Sequence, residues 1–84
     1  MIEIKFDKVN KKSIAYDGEL EVGVCEFIEE NKSWNIIHTE VDSLYQGRGI
    51  ARKLVECVIE NSKKFNKTIK ADCIYAKRIS EENN

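Results

Sequence analysis

Residues Leu44–Glu56 read LYQGRGIARKLVE, and the fold turns on how this stretch is understood. Gly47 and Gly49 flank a basic residue, and a helical pattern begins at once. Ile50, Leu54 and Val58 recur at four-residue spacing and Phe65 seven residues later, with Ala51, Val55 and Ile59 beside them. Arg52, Lys53, Glu56, Glu60, Lys63 and Lys64 fall on the other side. This stripe predicts an amphipathic helix of about four turns laid on a sheet, with Asn66 as its stop. A helix start carries N–H groups without partners and the positive end of the dipole, and glycines let that backbone come close to an anion. Phosphate suits such a place, and Arg48, Arg52 and Lys53 supply charge. Taken alone, the two glycines serve a plain strand-to-helix turn equally well.

The residues before the glycines read as strands. Ile2, Ile4 and Phe6 alternate with Glu3 and Lys5, a period of two. Ser13–Tyr16 and Glu19–Glu30 flank Asp17-Gly18, a type I′ hairpin signal. Apolar parity changes beside Gly23, from Leu20, Val22 and Val24 to Cys25 and Phe27, which predicts a bulge there. Trp34–Val41 forms the next strand, with Ile36 and Ile37 on opposite faces and the His38 side chain on the face of Ile36 and Glu40. An antiparallel meander is the economical arrangement of the four. After the helix, Thr68–Cys73 reads as a fifth strand, parallel to Trp34–Val41 by a right-handed crossover. Ile74–Glu82 forms a short terminal helix, and the last residues are expected to fray. The class is therefore α/β: a mixed five-stranded sheet with one long and one short helix, in a single domain over residues 1–84.

Composition narrows the functions. A chain of 84 residues can bury one modest core, roughly 60–65% of its unfolded surface. The net charge of −1 argues against a nucleic-acid binder. No apolar run approaches the roughly 20 residues of a membrane span, and MIEIKFDKVN has no signal-peptide h-region. Cys25, Cys57 and Cys73 show no CxxC spacing, which fits reduced thiols in a cytoplasmic protein and no metal site. A dinucleotide fingerprint would need a third glycine where Arg52 stands, and a P-loop pattern is absent.

A third phosphate-bearing ligand fits better. Gln46, Gly47, Arg48, Gly49, Ile50 and Ala51 resemble the acetyl-CoA motif of the GNAT superfamily of N-acetyltransferases, between a strand ending at Val41 and a helix. His38–Val41 (HTEV) and Cys73–Lys77 (CIYAK) resemble a small GNAT-like subfamily with a His-Thr before the turn and a cysteine after the last strand. The resemblance covers residues 34–79 and implies acetyl-CoA as acetyl donor. Pantetheine would pair with the backbone of Thr39, Glu40 and Val41, and pyrophosphate would rest on the amides of Gly47–Ala51. Arg48, Arg52 or Lys53 would reach the phosphates.

It also implies a site role for Cys73 and His38. A thiol beside a helix N-terminus can be a nucleophile, and an imidazole near the thioester can take a proton from an amine or from the thiol. On the residues alone, packing is the favoured reading of both. Tyr75 as proton donor and Glu40 as base through a water are weaker candidates. Cys25, Cys57, Trp34 and Tyr45 read as packing residues. Larger GNAT enzymes carry further helices and strands that shape the acceptor pocket, and these are missing here. The expected function is acetyl transfer to an unidentified amine, with Cys73 as the candidate carrier of the acetyl group. A binding or sensing module without turnover is the alternative, and an interaction domain with a vestigial turn the third reading.

Overall fold

The computed structural model describes residues 1–82. Strands β1 (Ile2–Asp7), β2 (Lys12–Asp17), β3 (Leu20–Glu30) and β4 (Ser33–Val41) follow one another, then helix α1 (Ile50–Lys64), strand β5 (Thr68–Ala71) and helix α2 (Ile74–Glu82). They form one sheet in chain order, antiparallel from β1 to β4, with β5 parallel to β4. The expected fraying of the last residues concerns Asn83 and Asn84, which lie outside the described residues.

The β2–β3 turn differs from the expected type I′. Asp17 pairs with Leu20, so the loop is Gly18–Glu19, and only Gly18 has positive φ, +63°. Glycine first in a two-residue loop is the type II′ pattern. The bulge expected beside Gly23 lies at Val22, since Ala15 opposes Gly23 while Tyr16 opposes Glu21. A second bulge, which the parity reading did not foresee, lies in β4. Glu26 opposes His38 but Phe27 opposes Ile36, leaving Ile37 unpaired and 45% exposed. Its consequence is local and large. Beyond the bulge Thr39 shares the face of Ile36, and His38 turns to the opposite face with Glu40. The expectation that His38 lies on the face of Ile36 is corrected accordingly.

α1 crosses one face of the sheet, and α2 packs beside it and on β5. Leu54, Val55 and Val58 are fully buried against Ala15, Cys25, Trp34 and Ile36, with Ala76 and Ile79 of α2 in the same core. Each such aliphatic side chain contributes about 1.5–3 kcal/mol by leaving water. The buried Ser13 hydroxyl donates to the Leu54 carbonyl at 2.8 Å, so its burial leaves no orphan group. Gly23 lets α1 approach: a Cβ there would lie 3.1 Å from Leu54 Cδ1 and 3.2 Å from the Glu40 carbonyl oxygen. The start of α1 is thereby seated over the end of β4. At the other end of β4, Trp34 stacks on Phe27 at 4.4 Å, consistent with its reading as a core residue. Asn66, with φ +56°, ends α1 as expected.

Candidate functional site

The site begins where β4 and β5 part. Their ladder stops at Ile36–Ala71, so β5 is shorter than the expected Thr68–Cys73. The cause is a hook of side chains. Asn35 donates to the Asp72 carboxylate at 2.8 Å and accepts from the Asp72 N–H at 3.2 Å. The Asp72 and Cys73 amides both converge on the Ile36 carbonyl, at 3.0 and 3.3 Å. The chain then turns into α2, whose first backbone bond runs from Lys77 N–H to Cys73 O at 2.9 Å. β4 runs on alone through Ile37–Val41, with no strand on that side among the described residues. An unpaired strand edge is a template for an extended ligand.

The glycine turn closes one end of this gap. A 3₁₀ turn, Ser43–Tyr45, is capped by the Asp42 carboxylate, and Gln46 Nε2 donates to the Val41 carbonyl at 3.3 Å. Gly47 and Gly49 have φ of +80° and +77°, and Gly49 is the N-cap of α1 without any side-chain cap. No acidic residue lies in the first turn of α1, so its positive end is not neutralised there. An added Cβ at either glycine would meet nothing within 4 Å. Left-handed backbone therefore calls for glycine here, and the space in front of the turn is open. That space is a cavity of about 250 Å³ lined by the turn, Ala51, Val41, Tyr45 and Tyr75.

The structure brings some of the expected residues together and separates others. Cys73 Sγ lies 3.9 Å from Thr39 Oγ1, which lies 3.6 Å from Cys25 Sγ. Val41, Gln46, Gly47, Gly49, Ile50 and Ala51 all border the cavity, although the Ile50 side chain is core and only its backbone can serve a ligand. Arg48 lies over the Tyr45 ring, 5.1 Å from its centre. Arg52 pairs with Glu56 at 3.5 Å. Lys53 borders a different cavity, with Ile4, Glu56, Cys57 and Glu60, away from the turn. His38 pairs with Glu40 at 3.3 Å on the face away from Thr39 and Cys73. On that face a cavity of about 210 Å³ is lined by Glu21, Glu40 and Asp42 beside the β3 bulge.

Burial pushes the Cys25 thiol up to about 12 and also raises Cys57, so both stay protonated near neutral pH, as packing thiols do. Tyr75, a weaker candidate from the sequence, follows Cys73 by two positions and lines the cavity. Tyr45, read as a packing residue, went unread as a site residue. It lines the cavity too, and its hydroxyl donates to Asp17 at 2.6 Å. This bond lowers the Asp17 carboxyl and raises the Tyr45 phenol. Nothing local in the sequence links Asp17 to Tyr45; only the fold does. Among the described residues no group of three His, Cys, Asp or Glu could hold a metal, and no helix is long and apolar enough to cross a membrane.

A mixed sheet splits beside an uncapped glycine turn, and both border one cavity. Comparison with known proteins gives the family. A sequence model of the GCN5-related N-acetyltransferase family matches residues 12–84. A GCN5-like protein from Staphylococcus aureus is 30% identical over 96% of this chain and 79% of its own, with a TM-score of 0.72. Ribosomal-protein-alanine N-acetyltransferase from Brucella melitensis shares the fold at 16% identity and TM-score 0.66, over 86% of this chain and 61% of its own. The NatC complex bound to Gag peptide and CoA does so at 24% identity and TM-score 0.65, over 87% of this chain and 55% of its own. No curated protein matches the sequence. The chain belongs to the GCN5-related N-acetyltransferase family, whose members use acetyl-CoA. It spans 61% and 55% of the length of the last two neighbours.

Proposed function

We propose that residues 1–84 act as one domain that binds acetyl-CoA and transfers its acetyl group to an amine by way of Cys73. The observation that carries this reading is the uncapped Gly47–Ala51 turn facing a cavity at the end of an unpaired β4 edge. Pyrophosphate lies on the amides of the turn, and pantetheine runs along Thr39, Glu40 and Val41 as an added strand. Arg48 stands nearest the phosphates, and Arg52 adds field from the first turn of α1. The acetyl thioester then lies in the gap between β4 and β5.

Cys73 reaches the thioester from the helix side. Its thiolate attacks the carbonyl, an acetyl–sulfur bond forms, and the bond to CoA sulfur breaks, with CoA leaving as thiolate and taking a proton. Tyr75, which borders the cavity, gives that proton. An amine then attacks acetyl-Cys73 from the opposite face, the acetyl–sulfur bond breaks, and the amide forms with the Cys73 thiolate restored. On that face His38, held by Glu40, takes the proton from the amine. The carboxylates of Glu21, Glu40 and Asp42 favour an amine that arrives as a cation. One second reading is a cytoplasmic acyl-CoA binding or sensing module without turnover, since the uncapped turn and the free β4 edge serve binding alone equally well. A discontinuous assay of amide formation over a panel of polyamines, amino acids and amino-terminal peptides separates the two. Acetyl-CoA consumption that depends on one of those amines is the expected outcome, and binding of acetyl-CoA with no amide from any of them supports the second reading.

A further inference from the structure

We infer that Asp17 is a positioning residue for phosphate recognition, acting through Tyr45 on Arg48. This rests on the reading of the glycine turn as the phosphate site. Asp17 closes β2 and stands at the hairpin tip, far in sequence from the turn. Its carboxylate takes a 2.6 Å hydrogen bond from the Tyr45 hydroxyl, and the Met1 amino group lies 3.4 Å away. Tyr45 is the last residue of the 3₁₀ turn and leads straight into Gln46 and the glycines. Its ring borders the cavity and lies under the Arg48 guanidinium at 5.1 Å, within cation–π range.

The chain of contacts has a physical purpose. Gly47 and Gly49 make the segment between β4 and α1 conformationally free, and Arg48 sits between them with a long, rotamer-rich side chain. A phosphate-binding arginine is useful only when ordering it on binding costs little. The Asp17 bond fixes the ring plane of Tyr45, and the ring gives the guanidinium a surface to rest on. A bond between a carboxylate and a phenol is a strong one, and it ties the glycine turn to the β2–β3 hairpin. Asp17 touches no ligand in this arrangement. Its negative charge also opposes an anion at long range, so the gain lies in order rather than in charge.

The measurement is calorimetric titration with CoA and, separately, with pantetheine, which lacks the phosphates. The proteins are wild type, Asp17→Ala, Asp17→Asn, Tyr45→Ala, the Asp17→Ala/Tyr45→Ala double variant and Gly49→Val. Asp17→Ala and Tyr45→Ala should each weaken CoA binding about fivefold, with the double variant no weaker than the worse single, since both break one contact chain. Asp17→Asn, which still accepts the phenol's hydrogen, should recover part of the loss. Pantetheine affinity should not move, and the salt dependence of CoA binding should become shallower. Asp17 is over one-third exposed, so its variants report even where Tyr45→Ala fails to fold. CoA affinity kept by Asp17→Ala while Gly49→Val loses it would overturn this inference alone. Equal losses for CoA and pantetheine would also overturn it, by making Asp17 a merely structural group. A Gly49→Val protein that is folded and binds CoA like wild type would overturn the phosphate reading and this inference together.

Discussion

Gly49→Val is expected to weaken CoA binding at least tenfold, about 1.4 kcal/mol. Two effects act in the same direction. At φ +77° a β-branched residue is strained, which disturbs the N-cap of α1. The new side chain also projects into open space before the turn, where phosphate oxygens would approach the amides. Gly49→Asn separates the two, because asparagine tolerates left-handed backbone. Its melting temperature should stay near that of wild type while its CoA affinity falls. Unchanged affinity in a folded Gly49→Val protein would remove phosphate from the turn. Arg52→Ala should cost less affinity, and relatively more at low salt, because its charge acts at an exposed position.

The second large effect belongs to Cys73. Brief incubation with acetyl-CoA should leave one acetyl group on the protein, mapped to Cys73, and Cys73→Ala should abolish the label while CoA still binds. The other thiols are poor competitors. Cys25 is completely buried and held near 12, and burial raises Cys57. Cys73 stands at the start of α2, beside the Thr39 hydroxyl at the mouth of the split. His38→Ala should leave this labelling step intact and slow the passage of acetyl to the amine, because its side chain lies on the opposite face of β4. Label confined to lysines, with Cys73→Ala fully active, would leave direct transfer to the amine as the route and return Cys73 to packing. Intact-mass spectrometry with peptide mapping reads all of these results.

The parts legible in the sequence were those set by local pattern. The α1 stripe, the alternation of β1, the stop at Asn66 and the bulge beside Gly23 each follow from residues close together in the chain. The glycine turn was legible as a possible site because positive φ and close backbone approach both need glycine, whatever the surrounding fold. The bulge at Ile37 was not legible. Ile36 and Ile37 are adjacent aliphatics, either of which could face the core, and the choice is made by the register of β3. That one extra residue moved His38 across the sheet, which is why its face was misread. The end of β5 was misjudged for a similar reason. Alternation permitted Thr68–Cys73, but Asn35 on the neighbouring strand seizes Asp72 and ends the pairing at Ala71. Tyr45 passed as turn packing because its partner, Asp17, is 28 residues away and on a different hairpin.

Where acetyl-CoA lies on the chain is the claim from which the rest follows. The direct measurement is the titration of isotope-labelled protein with acetyl-CoA, followed by the backbone amide resonances. The account predicts that the largest shifts fall on Gly47–Ala51 and on Thr39–Val41, with a smaller set at Cys73 and Tyr75. Acetyl-CoA that shifts none of these amides, or acts only on those around Ile4, Lys53 and Cys57, would contradict it.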